Sequence, residues 1–274
     1  MYPILKAEQL AEKIFLMVVK APRVAKNCLP GEFVIVKTDE KGERIPLTVE
    51  DFDRERGTIT IVFQAVGYTT QKLSTLKKGD FIADCVGPLG CATEFGTPKK
   101  AIVIGGGVGC AIAYPQAKAL HNMGVKTDVI VGFRNKDIVI LEDEMRKVCD
   151  NYFITTDDGS YGEKGFVTDV LKRLITNETY DLVIAIGPIP MMKFVSKLTE
   201  EYGIKTIVSL NPIMIDGTGM CGGCRVNVGG EIKFACVDGP DFDGHKVDFD
   251  GLMRRNSFYK EEEHACRLGG VQNG

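Results

Sequence analysis

The run Ala101-Ile-Val-Ile-Gly-Gly-Gly-Val-Gly109 decides how this chain is read. Its aliphatic half predicts a strand buried on both faces, and its glycines predict a tight turn into a helical stretch reaching His121. The next aliphatic run, Thr127-Asp-Val-Ile-Val131, completes the order strand, turn, helix, strand, which predicts a βαβ unit and a parallel sheet. A glycine turn that opens a helix leaves backbone N–H groups free to hold a phosphate, so Gly105, Gly106, Gly107, Val108 and Gly109 are candidates for a nucleotide site. Two features depart from the usual dinucleotide fingerprint. Cys110 stands at the third glycine place of G-x-G-x-x-G, and Gly132-Phe-Arg134 ends the second strand where an acidic residue would meet a ribose. Arg134 either faces an adenosine phosphate or is simply solvated. Farther on, Leu182-Val-Ile-Ala-Ile186 predicts another buried strand. The turn after it, Gly187-Pro-Ile-Pro-Met-Met192, is either a second wall of the nucleotide site or a plain strand-to-helix connection.

Upstream of Pro98 the pattern is different. Lys13–Lys20, Glu32–Lys37, Thr58–Phe63 and Phe81–Val86 are β-rich runs separated by Pro30-Gly31, Lys41-Gly42 and Lys78-Gly79-Asp80, which predicts a small antiparallel barrel. One helix is expected inside it, capped by Thr69 or Thr70, with Leu73 and Leu76 on one face. After Asn211-Pro212 the composition turns to Gly, Asp and Cys, and this tail of roughly sixty residues is too poor in aliphatic runs to bury a core alone. The expected organisation is a β-barrel over 1-98, an α/β parallel-sheet domain over 99-211 and a small third unit over 212-274.

Composition excludes other classes. The 274 residues are 44% hydrophobic, enough for a core in each of two ordinary domains, and the 34 basic and 37 acidic residues are well mixed at a net charge of -3. No broad basic face for nucleic acid is implied. No apolar run approaches ~18 residues, and the N-terminus lacks a cationic stretch followed by a long apolar one. A cytoplasmic protein off the membrane is expected.

Nine cysteines are many for such a chain, and an odd number cannot all pair as disulfides. Cys28, Cys85, Cys91, Cys110 and Cys149 are scattered and read as small buried hydrophobes. The late group is a motif: Asp216-Gly-Thr-Gly-Met-Cys-Gly-Gly-Cys224, followed by Cys236. Plant-type [2Fe-2S] sites use C-x4-C-x2-C and a distant fourth cysteine, and the same spacing stands here with Asp216 first, then Cys221, Cys224 and Cys236. Glycines between the ligands allow positive φ and close backbone approach. A structural zinc site is the alternative, and Cys266 competes with Asp216 for the fourth place.

Arg44-Ile-Pro-Leu-Thr48 lies where a barrel strand would pass under a flavin: an Arg can pair a diphosphate, and a Thr hydroxyl or amide can reach the flavin N5 edge. Val66-Gly-Tyr-Thr-Thr70 follows as a glycine turn opening a helix, and Gly87-Pro-Leu-Gly90 closes the segment.

Taken in order, these segments resemble the ferredoxin-NADP reductase superfamily, in its branch with a C-terminal [2Fe-2S] domain. That branch includes the electron-transfer subunits of dihydroorotate dehydrogenases. It also includes the small subunits of NADH-dependent reduced ferredoxin:NADP oxidoreductases, to which Asp216, Thr156-Asp-Asp-Gly-Ser160 and Gly187-Pro-Ile-Pro-Met-Met192 are more similar. The resemblance implies FAD bound by Arg44, Pro46, Leu47 and Thr48, with Val66, Gly67, Thr69 and Thr70 at its pyrophosphate. It implies NAD(H) or NADP(H) lined by Gly105 to Gly109, Arg134, Asp158, Gly159, Gly187 and Pro188, and an electron-transfer oxidoreductase subunit that works with a larger flavin and [4Fe-4S] subunit in electron bifurcation. No side chain is expected to act as general acid or base. The other readings are a dihydroorotate dehydrogenase partner and a redox sensor that binds flavin and cluster without turnover.

Overall fold

The computed structural model describes residues 1–258. The first sheet has the strand order β6-β1-β2-β5-β4-β3-β7. Its strands are β1 (Tyr2–Ala11), β2 (Ile14–Lys20), β3 (Phe33–Lys37), β4 (Arg44–Asp53), β5 (Thr58–Gln64), β6 (Phe81–Ile82) and β7 (Asp84–Leu89). Every pairing is antiparallel. The two edge strands β6 and β7 are neighbours in the chain, separated by Ala83 alone. The sheet therefore wraps almost back onto itself, which is the expected barrel. The interior is filled by one side of each strand, with Val34, Val36, Val49, Ile59, Ile61 and Phe63 in one cluster.

Two helices are inserted in the barrel rather than one. Helix α1 (Pro22–Asn27) begins with a proline at its first position, where no hydrogen bond is lost. Helix α2 (Tyr68–Thr75) is the expected one, but Gly67 caps it, with φ -124 and ψ 173. Thr70 lies one turn in, where its hydroxyl accepts from the amides of Val66 at 3.1 Å and Gly67 at 3.0 Å. Strand β1 was not marked by its sequence, because Lys6, Glu8 and Gln9 crowd its middle and break the two-residue period. Phe81–Val86 breaks into two strands at Ala83, whose amide is drawn to Lys37 O and Thr38 O.

The second sheet has the order β11-β10-β9-β8-β12-β13-β16. It contains β8 (Lys100–Gly106), β9 (Lys126–Phe133), β10 (Asn151–Thr156), β11 (Glu163–Lys164), β12 (Leu182–Ile186) and β13 (Lys205–Ser209), all parallel where they pair. Helices α3 (Gly109–Asn122) and α4 (Glu142–Arg146) cover one face; α5 (Val167–Asn177) and α6 (Ile189–Glu201) cover the other. Successive residues of β8 serve the two faces in turn. Ile102 and Ile104 pack towards α5 and α6, whereas Ala101 and Val103 pack towards α3. This is why the strands show continuous aliphatic runs.

The tail contributes β14 (Arg225–Val228), β15 (Glu231–Phe234), β16 (Asp241–Asp243) and α7 (Phe249–Asn256). As its composition predicts, it buries no separate core. Strand β16 adds antiparallel to β13, and Cys224, Val226, Cys236, Phe242 and Leu252 join a cluster that also holds Phe33, Ile35, Val183 and Met192.

Candidate functional site

The barrel offers an open strand edge. Residues Arg44–Thr48 of β4 pair with Lys37–Phe33 of β3 on one side, but β4 meets β5 only from Val49 onwards. The other edge of Arg44–Thr48 therefore faces a gap between β4 and the end of β5, and leaves backbone groups for a ligand. Side chains alternate along this stretch. Ile45 and Leu47 pack into the barrel core, so Leu47 has only its backbone to offer. Arg44, Pro46 and Thr48 stand opposite Lys37, Ile35 and Phe33 and share their outer face. The Arg44 guanidinium is held loosely, 3.7 Å from Asp84.

Chain beyond β5 runs through Val66 and Gly67 into α2. Thr70 occupies the amides of Val66 and Gly67, leaving those of Tyr68, Thr69 and Thr70 at the helix start without an acceptor among the described residues. That is an anion cradle of the usual kind. The Thr69 hydroxyl is already given to Glu43 at 2.8 Å, which ties α2 to the start of β4. A side chain at Gly67 would meet nothing within 4 Å, so the approach is open.

A second opening lies at the carboxyl ends of the parallel strands. The chain proceeds from β8 outward to β9 and β10 in one direction, then to β12 and β13 in the other, so the sheet reverses between β8 and β12. Ligands of such sheets bind at that switch point. The two turns that border it are Gly105–Gly109 and Gly187–Pro188, and they touch. A Cβ at Gly106 would fall 2.6 Å from Met191 Sδ and 2.9 Å from Pro188 Cδ, and one at Gly109 would fall 2.5 Å from Ile186 O. The same strand ends carry Arg134 after β9 and Asp158-Gly159 after β10, with Asp158 N donating to Arg134 O at 3.3 Å. The Asp158 carboxylate is held below its ordinary range, chiefly by the Ser160 hydroxyl and then by the Ser160 amide. The glycine turns, Arg134 and Asp158 thus share one end of the sheet.

The third element is the loop from Asp216 to Cys224 with Cys236. Asp216 accepts from the amides of Thr218 at 2.5 Å and Cys221 at 2.6 Å, and the Thr218 amide, followed by the Cys221 thiol and then its amide, holds its carboxyl down at about 2. Cys224 Sγ lies 3.2 Å from Cys236 Sγ. The donors fall into two pairs, Asp216 with Cys221 and Cys224 with Cys236. Backbone amides point at the sulfurs, Gly223 N to Cys221 at 3.3 Å and Cys236 N to Cys224 at 3.5 Å. No three such side chains among the described residues converge on one point. The two pairs of donors fit a [2Fe-2S] cluster, in which each iron takes two protein ligands. Cys266 lies outside the described residues.

Of the scattered cysteines, Cys28, Cys85 and Cys110 are buried as expected, Cys149 is half-buried and Cys91 is exposed. Burial pushes the Cys28 and Cys85 thiols up to about 12. One feature that spacing could not reveal is the open edge of β4, which depends on where β5 parts from it. No helix among the described residues is long and apolar enough to cross a membrane.

Comparison with known proteins gives the lineage of the chain. Residues 211–248 match the family described as the iron-sulfur cluster binding domain of dihydroorotate dehydrogenase B. Over 260 residues the chain is 48% identical to the dihydroorotate dehydrogenase B (NAD(+)) electron transfer subunit homolog of Thermotoga maritima, covering 95% of this chain and 92% of the relative. It is 34% identical over 252 residues to the dihydroorotate dehydrogenase B (NAD(+)) electron transfer subunit of Fusobacterium nucleatum, covering 88% and 95%. A chain from the NADH-dependent reduced ferredoxin-NADP oxidoreductase structure, described for flavin-based electron bifurcation, matches at a TM-score of 0.92 and 46% identity over 98% of this chain and 97% of that one. The chain belongs to the family of dihydroorotate dehydrogenase B-type electron-transfer subunits, the iron-sulfur branch of the ferredoxin-NADP reductase superfamily.

Proposed function

We propose that this chain is the small subunit of an electron-bifurcating, NADH-dependent ferredoxin:NADP oxidoreductase, passing electrons between NAD(H), FAD and a [2Fe-2S] cluster. One observation carries the reading. A single hydrophobic cluster holds Phe33 and Ile35 from the outer face of the barrel, Ile104 and Ala185 from the crevice strands, Met192 from α6, and Cys224 and Cys236 from the ligand loop. The three candidate sites are walls of one packed body.

Bound FAD would supply the exchange between two-electron hydride chemistry with the nicotinamide and one-electron transfer to the cluster. The chain's own residues hold and orient. The open edge of Arg44–Thr48 would hold FAD, with Pro46 and Thr48 available to its ring system and Arg44 to its diphosphate. The amides of Tyr68, Thr69 and Thr70 complete the diphosphate cradle. Gly105–Gly109 and Gly187–Pro188 admit the nicotinamide nucleotide at the switch point, and Arg134, Asp158 and Gly159 border its far half. Asp216, Cys221, Cys224 and Cys236 hold the iron.

The partner is a larger flavin and [4Fe-4S] subunit. Around the ligand loop Met220 is 90%, Ile232 66% and Ile215 62% exposed, an apolar rim suited to a docked protein. The names of the relatives favour a second reading, the electron-transfer subunit of a dihydroorotate dehydrogenase. Copurification separates the two by the partner it brings.

The deciding experiment is an absorption spectrum of the purified chain with iron and sulfide analysis, followed by turnover of NADH with an artificial one-electron acceptor. Flavin and iron-sulfur bands that both bleach on reduction are expected. A colourless, zinc-loaded protein without flavin, or one with both centres and no turnover, would overturn the proposal.

A further inference from the structure

The ligand loop rests on the barrel at a point where no side chain fits. Gly217, next to Asp216, has φ +78 and is buried; a Cβ there would lie 2.8 Å from both Cδ1 and Cγ1 of Ile35 and 3.4 Å from Leu89 Cδ1. Ile35 is the residue of β3 directly opposite Pro46 of β4. Gly217 thus sits over β3 and β7, and one strand, β3, lies between the backbone beside a cluster ligand and the strand assigned to the flavin. The far side of the same junction is built alike. A Cβ at Gly90, at the end of β7, would lie 2.8 Å from Gly239 O and 3.0 Å from Phe33 Cε1, and Cys91 N donates to Gly239 O at 2.6 Å. The tail thus grips β3 and β7 through two glycines, one on each flank of the β3 residues that face the flavin strand.

We propose that Gly217 is a positioning residue that fixes the separation between the cluster and the flavin; this rests on the functional reading above. Electron transfer between buried centres weakens steeply with distance, and the loop comes as near to the flavin strand as Ile35 allows. A methyl group at 217 would be too close to Ile35 by roughly 1 Å against ordinary carbon contact distances, so the loop or Ile35 must give way by about that much. Because Ile35 is 1% exposed and its neighbours are packed, the solvent-facing loop is the part that moves.

The test uses the full chain with both centres, reduced by NADH in a stopped-flow instrument, and reads the cluster phase relative to the flavin phase. Gly217→Ala is expected to retain the cluster spectrum but slow the cluster phase several-fold relative to the flavin phase. The magnetic interaction between the half-reduced flavin and the reduced cluster should weaken in parallel. Ile35→Ala in the same chain removes both opposing carbons and should restore the ratio and the magnetic interaction. Gly230→Ala is the control for backbone strain, since Gly230 has φ +84 and nothing within 4 Å of its Cβ position. It should leave the ratio untouched. In the apoprotein, Gly217→Ala and Ile35→Ala should lower the melting temperature by less together than the sum of their separate effects.

A wild-type ratio and magnetic interaction in Gly217→Ala would overturn the proposal, as would equal slowing in Gly230→Ala, or loss of the cluster in both the single and the double variant. Failure of the functional reading gives a different result, an unmutated chain that lacks one centre or in which reduced flavin never reduces the cluster.

Discussion

Replacing Glu50 by glutamine should stabilise the chain, and increasingly so as pH rises. Glu50 lies on β4 where the barrel meets helix α3, and only 5% of it is exposed. Burial, reinforced by the charge of Asp51, pushes its carboxyl from an ordinary value of 4.5 up to about 8; Glu144 adds to this and Lys118 opposes it. Lys118 gives little relief because its ammonium already serves both Asp51 oxygens, at 2.7 and 2.8 Å. Tyr114, across the seam on α3, has its own hydroxyl pushed up to about 12, mainly by burial, and carries no charge near neutrality. Between the unfolded value of 4.5 and the folded value of about 8, the native chain keeps a proton that the unfolded chain has released. Stability contributed by Glu50 therefore falls as pH rises through that window and levels off above it. At 1.36 kcal/mol per pH unit the full penalty is of the order of 5 kcal/mol, and relaxation at the seam would reduce it to a few. Glutamine, neutral throughout, carries none of it. Urea unfolding of wild type and Glu50→Gln at pH 4.5 and pH 8 measures the difference, with similar stabilities expected at the first and a clear gain for the variant at the second. A variant no more stable at pH 8 than at pH 4.5, relative to wild type, would show that Glu50 is ionised and paired in the folded chain.

Other expectations follow from the candidate sites. Asp216→Cys should keep the cluster and move its reduction potential, read by EPR-monitored titration, whereas Cys266→Ser should leave spectrum and potential unchanged; the reverse outcome would exchange their roles. Arg44→Ala should weaken FAD binding roughly ten- to hundred-fold, the worth of a hydrogen bond to a charged group, measured by flavin fluorescence on titration into apoprotein. An unchanged dissociation constant would remove Arg44 from the diphosphate. Gly106→Ala, whose methyl would displace Met191 and Pro188, should raise KM for the nicotinamide nucleotide while FAD content stays at the wild-type level. A fall in FAD content with KM unchanged would put that turn in the wrong site.

Much of this was legible in the chain because the signals were local. The glycine turn after Ile104 had to follow a strand and open a helix, and the ligand spacing from Asp216 to Cys224 carries its chemistry in nine consecutive residues. Elements that failed to announce themselves depend on distant neighbours. Strand β1 sets Ile4 beside Leu5 and Glu8 beside Gln9, with only Ile4 fully buried, so it pairs without showing a clean alternation. The cap of α2 fell to Gly67 because Thr70 is better placed to take two amides from inside the first turn than to stand outside it. Leu47 stands in the middle of the segment proposed to hold the flavin, yet strand alternation turns its side chain into the barrel.

The shortest of the long barrel strands shows why three sites can share one body. A barrel strand that faces water on its outside should alternate apolar and polar residues, but Phe33-Val-Ile-Val36 is buried throughout. Val34 and Val36 fill the barrel, and Phe33 and Ile35 lie in the cluster that contains Cys224 and Cys236. The tail needs that outer face, since it has no core of its own. The outer face needs the tail, since Phe33 and Ile35 would otherwise lie in water at a cost of about 1.5–3 kcal/mol each. Seating the tail there places Gly217 on Ile35, and Ile35 stands opposite Pro46. The contact that stabilises the iron-sulfur segment is therefore also the contact that brings it beside the strand proposed to hold the flavin, and neither could be loosened without loosening the other.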